Sequence, residues 1–315
     1  MLKILSITIP IYLIMAAGFA SVGRGLFDKA DMRVMGRFVL NFCLPALLFR
    51  ALSQRNLGEV LNGSFLVAYA AGSLALLCGG HLLSRHVFHK PASLAALKGL
   101  GMSASNSGFI GYPILLQVLG PPAGVALALA MLVENLLIIP VALALADRGD
   151  GAPQSGLKAV AGSLRTLARN PLILAIVAGF AFALFGWKLP EAVDRTVQIV
   201  ATGASPVALF VIGGTLFGLK LQGLGASVAT VAIGKLLIHP LAVLVVAMLL
   251  PPLEPPLRAA VVLLACMPMM SIYPVLAQKY GHDGFCAAAL LATTVASFFT
   301  ISAALAVLHA AGWLP

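Results

Sequence analysis

Charge is scarce in this 315-residue chain: Asp, Glu, Lys and Arg make up 10% of it, against about one quarter in an ordinary soluble domain. The chain is 61% hydrophobic, with a mean hydropathy of +1.03. A water-soluble globule of this composition would leave large apolar patches exposed and aggregate. Acid is the scarcer sign, 10 Asp+Glu against 20 Lys+Arg, for a net charge of +10. A basic excess points to nucleic acid when the charges share one water-facing surface. Here they fall in short breaks between apolar runs, as in the loops of a membrane protein, so nucleic acid is not an expected partner. Cysteine is sparse too: Cys43, Cys78, Cys266 and Cys286 stand singly in apolar runs, with no CxxC or Cys/His spacing. They read as small buried hydrophobes, and no metal or other cofactor is expected. No apolar run contains an aspartate, and neither a Gly-x-Ser-Gly nucleophile nor an HExxH pattern occurs, which argues against an intramembrane hydrolase and against an enzyme generally.

Apolar runs dominate what remains. A spanning helix needs roughly 20 mostly apolar residues, and ten runs qualify, at about 4–23, 35–53, 61–83, 95–119, 121–146, 171–187, 196–218, 226–250, 257–280 and 284–310. The segment 147–170, with Asp147, Arg148, Asp150, Lys158 and Arg165, is the one long polar linker. The first run resembles a cleavable signal peptide around Ala16–Ser21, but an internal repeat gives it a partner in the second half. Sliding the chain on itself by 161 positions places Pro10 on Pro171, Gly18-Phe19-Ala20 on Gly179-Phe180-Ala181 and Pro45 on Pro206. The same shift places Tyr112-Pro113 on Tyr273-Pro274, Gln117 on Gln278 and Gly120 on Gly281. The expected architecture is therefore all-α and integral to the membrane, with repeats 1–146 and 171–315 of five spans each. Five is odd, so the second repeat enters the bilayer from the opposite side, an arrangement common among secondary transporters. Lys3, Arg50, Arg55, Lys188, Arg195 and Arg258 fall on one side, six in all, and thirteen Lys and Arg fall on the other. The richer side is expected to be cytoplasmic, which puts the 147–170 linker inside and both termini outside.

Spans four and nine are interrupted. One carries Asn106, Ser107, Gly108, Gly111 and Pro113; the other carries Met267, Pro268, Ser271 and Pro274. Proline removes a backbone donor and glycine lowers helix stability, and broken backbone within a bilayer must line a polar cavity or be buried in protein. Matching breaks in two repeats are the best sequence pointer to a substrate site, and half-helix N-termini there suit an anion. Two ionisable residues sit near mid-span, Glu134 and Lys235, as an ion pair, a substrate contact or a coupling-proton carrier. Their repeat counterparts are Val295 and Leu74, so they lie outside the shared scaffold. His239 lies one turn beyond Lys235, and Asn41, one turn before Pro45, is expected to satisfy backbone freed by that proline.

The run Asn106-Ser107-Gly108-Phe109-Ile110-Gly111-Tyr112-Pro113-Ile114, with Leu44–Phe49, Asn170-Pro171, Pro206–Gly213, Met267-Pro268 and Ala277–Gly281, resembles the auxin efflux carrier family along essentially the whole chain. The resemblance implies a bile-acid-symporter-like fold with crossed broken helices 4 and 9. It implies a scaffold of helices 1, 2, 6 and 7 and a moving transport domain of helices 3–5 and 8–10, usually in a homodimer. The short linker resembles bacterial members, some described as malonate permeases. Asn106 and Pro113 match the family's first crossover, and Pro268 and Pro274 its second. The function expected is elevator-type transport of small organic anions across the cell membrane, with lipid as the surrounding partner. One exported negative charge gains about 2.3 kcal/mol per 100 mV, so uptake, unlike export, needs a coupling proton or sodium ion. The alternative is a cation/proton antiporter or sodium-coupled symporter on the same fold; neither broken segment itself holds a carboxylate.

Overall fold

A computed structural model of the chain describes residues 2–55, 62–149, 169–219 and 225–314, with side chains from Ser6 onward. Most of the expected 147–170 linker lies outside the described residues. Among them, regular structure is helical apart from one isolated antiparallel bridge, Ser105 to Met269. The helices are α1 Leu2–Gly23, α2 Lys29–Ser53, α3 Gly63–Val87, α4 Ala92–Ser103, α5 Ser107–Leu119 and α6 Pro122–Arg148. They continue as α7 Pro171–Phe185, α8 Glu191–Leu216, α9 Ala226–Leu249, α10 Pro255–Cys266, α11 Tyr273–Gln278 and α12 Asp283–Ala310. Seven of them are long and apolar enough to cross a membrane; α5, α7 and α10 are shorter apolar helices.

Local chemistry sets the helix ends. The Asp28 carboxylate accepts from the N–H groups of Ala30 (2.6 Å) and Asp31 (2.8 Å), while the Asp31 carboxylate accepts from Asp28 N–H at 2.9 Å. This reciprocal capping box starts α2. Asn170 accepts from Leu172 N–H at 3.0 Å with Pro171 in the first helical turn, so α7 starts there. Gly186, with φ of 63°, closes it in a left-handed turn.

Four helices contain a widened π turn that ends two positions before a proline: Val39–Cys43 before Pro45, Ser107–Gly111 before Pro113, Glu134–Ile138 before Pro140 and Gly234–Ile238 before Pro240. In each, the residue preceding proline donates its N–H to a carbonyl five positions back, as Ile139 does to Glu134 and His239 to Gly234. A proline inside a regular helix clashes with the carbonyl four positions earlier and offers it no donor. Opening the preceding turn by one residue moves that carbonyl aside. A fifth π turn, Leu83–Val87, ends α3 without a proline.

Polarity is distributed in the inverse of a soluble protein's pattern. Leu13, Leu249 and Phe299 are 62%, 80% and 70% exposed, while Lys98, Glu134, Lys235 and His239 are buried. Lys98, three residues into the span expected from about 95, lies inside α4. Its Nζ donates to Ser227 Oγ at 3.1 Å and faces the rings of Phe88 and Phe285. Cys43, Cys266 and Cys286 are buried thiols as expected, but Cys78 is on the exposed face of α3. Asn41 donates to the carbonyl of Arg37 at 2.7 Å, a turn further from Pro45 than expected. The widened turn has already relieved the backbone there.

Helices approach closely where the side chain is a hydrogen. A Cβ on Gly18 in α1 would collide with the carbonyl oxygen of Phe210 in α8. A Cβ on Gly179 in α7 would press on the carbonyl oxygen of Phe49 in α2 at 3.0 Å. Gly18 and Gly179, and Phe49 and Phe210, are each related by the 161-residue shift of the sequence repeat.

Candidate functional site

Helix α4 stops at Ser103 and α10 stops at Cys266, and the two breaks run against each other. Ala104 and Met267 are extended, Ser105 pairs with Met269, and Asn106 N–H donates to Pro268 C=O at 2.8 Å. Each break thus supplies hydrogen-bond partners that the other lost on leaving the helix, which is what allows irregular backbone at this depth. Asn106 C=O then accepts from Ile110 N–H (3.1 Å) and Gly111 N–H (2.9 Å), seeding α5.

Around the bridge lies a buried polar chain. Glu134 Oε1 accepts from Ser107 Oγ at 2.6 Å, Tyr69 OH at 2.7 Å and Ser105 N–H at 3.3 Å. Lys235 Nζ donates to Ser105 Oγ at 2.7 Å and to Ala265 C=O at 3.1 Å, and lies 2.7 Å from His239 Nδ1. An ammonium has no acceptor, so His239 Nδ1 accepts. The proton of a neutral His239 then sits on Nε2, which donates to Ser73 Oγ at 2.9 Å. Among the described residues no direct ion pair joins Glu134 and Lys235. Ser105 stands between them, giving its N–H to the carboxylate and its hydroxyl oxygen to the ammonium. Helix α3 touches both ends of the chain, with Tyr69 at Glu134 and Ser73, one turn on, at His239.

A cavity of about 90 Å³ opens at the bridge. That is room for a handful of waters or a small carboxylate. Of the residues singled out in the sequence, Asn106, Ser107, Gly108, Ser271 and Glu134 line it. Six others, Gly111, Pro113, Met267, Pro268, Pro274 and Lys235, do not. Pro268 supplies the carbonyl for Asn106, Met267 packs beside Gly111, and Pro113 and Pro274 occupy the first turns of the helical segments that follow the breaks. Lys235 reaches the site through Ser105. The side-chain NH₂ of Asn106 is buried at the cavity with no hydrogen-bond partner. Sequence reasoning left out Ser105, Tyr69 and Ser73 as site residues, and Asn135, which also lines the cavity. The signal for the first was its position beside Asn106; for Tyr69 and Ser73 it was a phenol and a hydroxyl one turn apart in an apolar run. The carboxylate missing from the broken segments themselves is delivered to them by α6.

The sequence profile of the family described as Membrane transport protein (Mem_trans) matches residues 4–305. A Rhizobium meliloti (strain 1021) protein named "Putative malonate transporter" is 26% identical over 316 residues, covering 100% of this chain and 98% of its own. "Uncharacterized transporter YfdV" of Escherichia coli (strain K12) is 30% identical over 249 residues, 76% of this chain and 77% of its own. "Auxin efflux carrier component 8" of Arabidopsis thaliana is 22% identical over 270 residues, 67% and 71% of the two chains. The auxin-carrier resemblance read from the motifs agrees with these matches. A helical chain with at least seven helices fit to span a bilayer, matched to this profile from near its start to near its end, belongs to the Mem_trans family of membrane transport proteins.

Proposed function

We propose that this chain is a secondary transporter that moves small organic anions, mono- or dicarboxylates, through the crossing of the two breaks. The observation that carries this reading is Asn106: the residue lines the crossing cavity, and its side-chain NH₂ is buried without a hydrogen-bond partner. Leaving a buried donor unsatisfied costs about 1–3 kcal/mol, and a carboxylate oxygen is the acceptor that removes the cost. The first turn of α5, starting at Ser107, faces the same cavity and carries the partial positive charge of a helix N-terminus. The name of the Rhizobium meliloti relative makes malonate the first compound to try.

The scaffold in this reading is α1, α2, α7 and α8, and the moving body is α3–α6 with α9–α12, shifting past it in an elevator motion. The chain counts as ten spans in two inverted repeats, with α4–α5 and α10–α11 as the broken ones. It is a homodimer through the scaffold in the cell membrane, with both termini outside. The reciprocal contacts of Gly18 with Phe210 and Gly179 with Phe49 support the repeat, since a two-fold axis between halves generates each from the other. Currents from proteoliposomes on a solid-supported membrane, recorded over a carboxylate panel headed by malonate, test the substrate class. Wild type responds and Asn106→Ala requires at least tenfold more substrate. Silence to the whole panel defeats the proposal.

A second reading, coupling to a proton or another cation, is favoured by one observation: Glu134 lines the cavity and binds both Ser105 and Ser107 of the first break. A carboxylate that protonates in the cycle is mimicked in its protonated form by glutamine. Glu134→Gln then retains substrate binding and transports at a rate independent of pH. A full wild-type pH profile in that variant removes Glu134 from coupling.

A further inference from the structure

A second, larger cavity of about 420 Å³ lies on the same seam between α2 and the α5–α6 hairpin. On α2 the crossing cavity touches Leu40 and this one Leu47; on α5 they touch Gly108 and Leu116; on α6, Met131 and Gly124. These steps are seven or eight residues, roughly 10–12 Å at 1.5 Å per residue, although on α5 the two linings come as near as Phe109 and Tyr112. On α2 and α5 the step is toward higher numbers and on α6, which reverses after the turn at Gly120, toward lower. The two cavities are thus displaced from each other along one path, in one direction.

Two donors at this second cavity have no acceptor. Arg50 Nε is buried without a hydrogen-bond partner, and so is Ser205 Oγ on α8. The nearby carboxylate of Asp194 lies 3.8 Å from Arg50 Nε, beyond hydrogen-bonding range, and accepts instead from Gln54 Nε2 at 3.3 Å. Gln54, Tyr112, Gln198 and Thr202 complete the polar wall. The crossing cavity has a neutral amide, and the buried charges beside it are bound to one another through Ser105. Arg50 is where the path presents a cation with a donor to spare.

We infer that the Arg50 cavity is a second carboxylate-binding site, which takes the anion on the membrane face away from the crossing cavity. A guanidinium N–H and a hydroxyl from different helices border the cavity, the two kinds of donor that suit a carboxylate's oxygen pair. Arg50 and Ser205 stand on α2 and α8, whereas Tyr112 and Leu116 stand on α5, so the anion would sit between the scaffold and the moving body. This inference rests on the proposed transport of organic anions and adds the residue that receives them.

Malonate is the probe, applied separately to right-side-out and inside-out membrane vesicles. Arg50→Gln raises the half-saturating malonate concentration at one face by roughly tenfold or more, the scale of a lost charge-assisted hydrogen bond, and leaves the other face at the wild-type value. Ser205→Ala, a milder change, shifts the same face in the same direction, and Arg50→Lys restores part of the loss. Asp194→Asn separates a binding role from a structural ion pair. It leaves malonate affinity unchanged or tighter if Arg50 binds the anion, and reproduces Arg50→Gln if the pair merely braces α2 against α8. That reproduction, or equal shifts at both faces, or none, overturns the Arg50 site while the wild-type response still upholds anion transport. A wild type silent at both faces to malonate and to every other carboxylate of the panel overturns the anion reading, and the Arg50 site with it.

Discussion

A side chain at a cavity wall that holds no other group can be removed without breaking anything inside the fold. The NH₂ of Asn106 has no internal partner, and its backbone N–H and C=O hold the crossing whatever the side chain. Asn106→Ala should therefore lose substrate affinity while its melting temperature stays level or rises, because an unsatisfied buried donor has gone. A marked fall in melting temperature would assign the side chain to the architecture instead. Ser105 is the opposite case. Its hydroxyl oxygen accepts from Lys235 and its N–H serves Glu134. Ser105→Ala leaves the buried ammonium one acceptor short and should cost about 1–3 kcal/mol. A double-mutant cycle on Glu134 and Lys235 should show coupling in the wild-type background that shrinks in Ser105→Ala. Coupling of equal size in both backgrounds would mean that the two charges interact without the serine. Glu134 and Lys235 stood out in the sequence because charge inside an apolar run is rare. Ser105 did not stand out as the link between them, since its partner is 130 positions away and is fixed only when the breaks cross.

At the scale of elements, prolines and widened turns act together. Glu134 opens the π turn before Pro140, and Lys235 is the second residue of the one before Pro240. Pro240→Ala returns a backbone donor to α9 and lets the new N–H bond the carbonyl four positions back, which draws the turn toward regular α geometry. Lys235 then rotates away from Ser105. The expected outcome is a helix as stable as wild type or more so, with transport lost. Wild-type transport in this variant would show that the π turn is incidental to the site. The interruptions at Asn106 and Pro268 were legible from glycine and proline chemistry. The π turns were not, because a one-residue change in pitch leaves a helix looking unbroken in an apolar sequence.

At the scale of the whole molecule, the repeat makes a quantitative demand. Gly18 against Phe210 and Gly179 against Phe49 are the same contact made twice. Leucine at either glycine forces the helices apart and should cost about 1–3 kcal/mol, more at Gly18, where a Cβ collides with the Phe210 carbonyl, than at Gly179, read as the fall in melting temperature in detergent. Tolerance of leucine at both would deny that backbone contact packs α1 on α8 and α7 on α2. The repeat and most helix ends were legible because paired glycines and prolines are costly to place and therefore informative. Lys98, three residues into the apolar run that starts near 95, is legible as a charge near one end of its span. What covers Lys98, two aromatic rings and a serine from three other segments, is set by tertiary packing alone.

The proline-linked π turns also shift the phase of their helices. Each adds one residue to a turn, so the residues before and after it are out of step by about 100° of rotation. A helical wheel drawn through all of α6 or α9 mixes two stripes that face different neighbours. Drawn separately on each side of the turn, it places Met131 and Ile139 of α6 together on the cavity wall, eight residues apart where a regular helix would bring back the seventh.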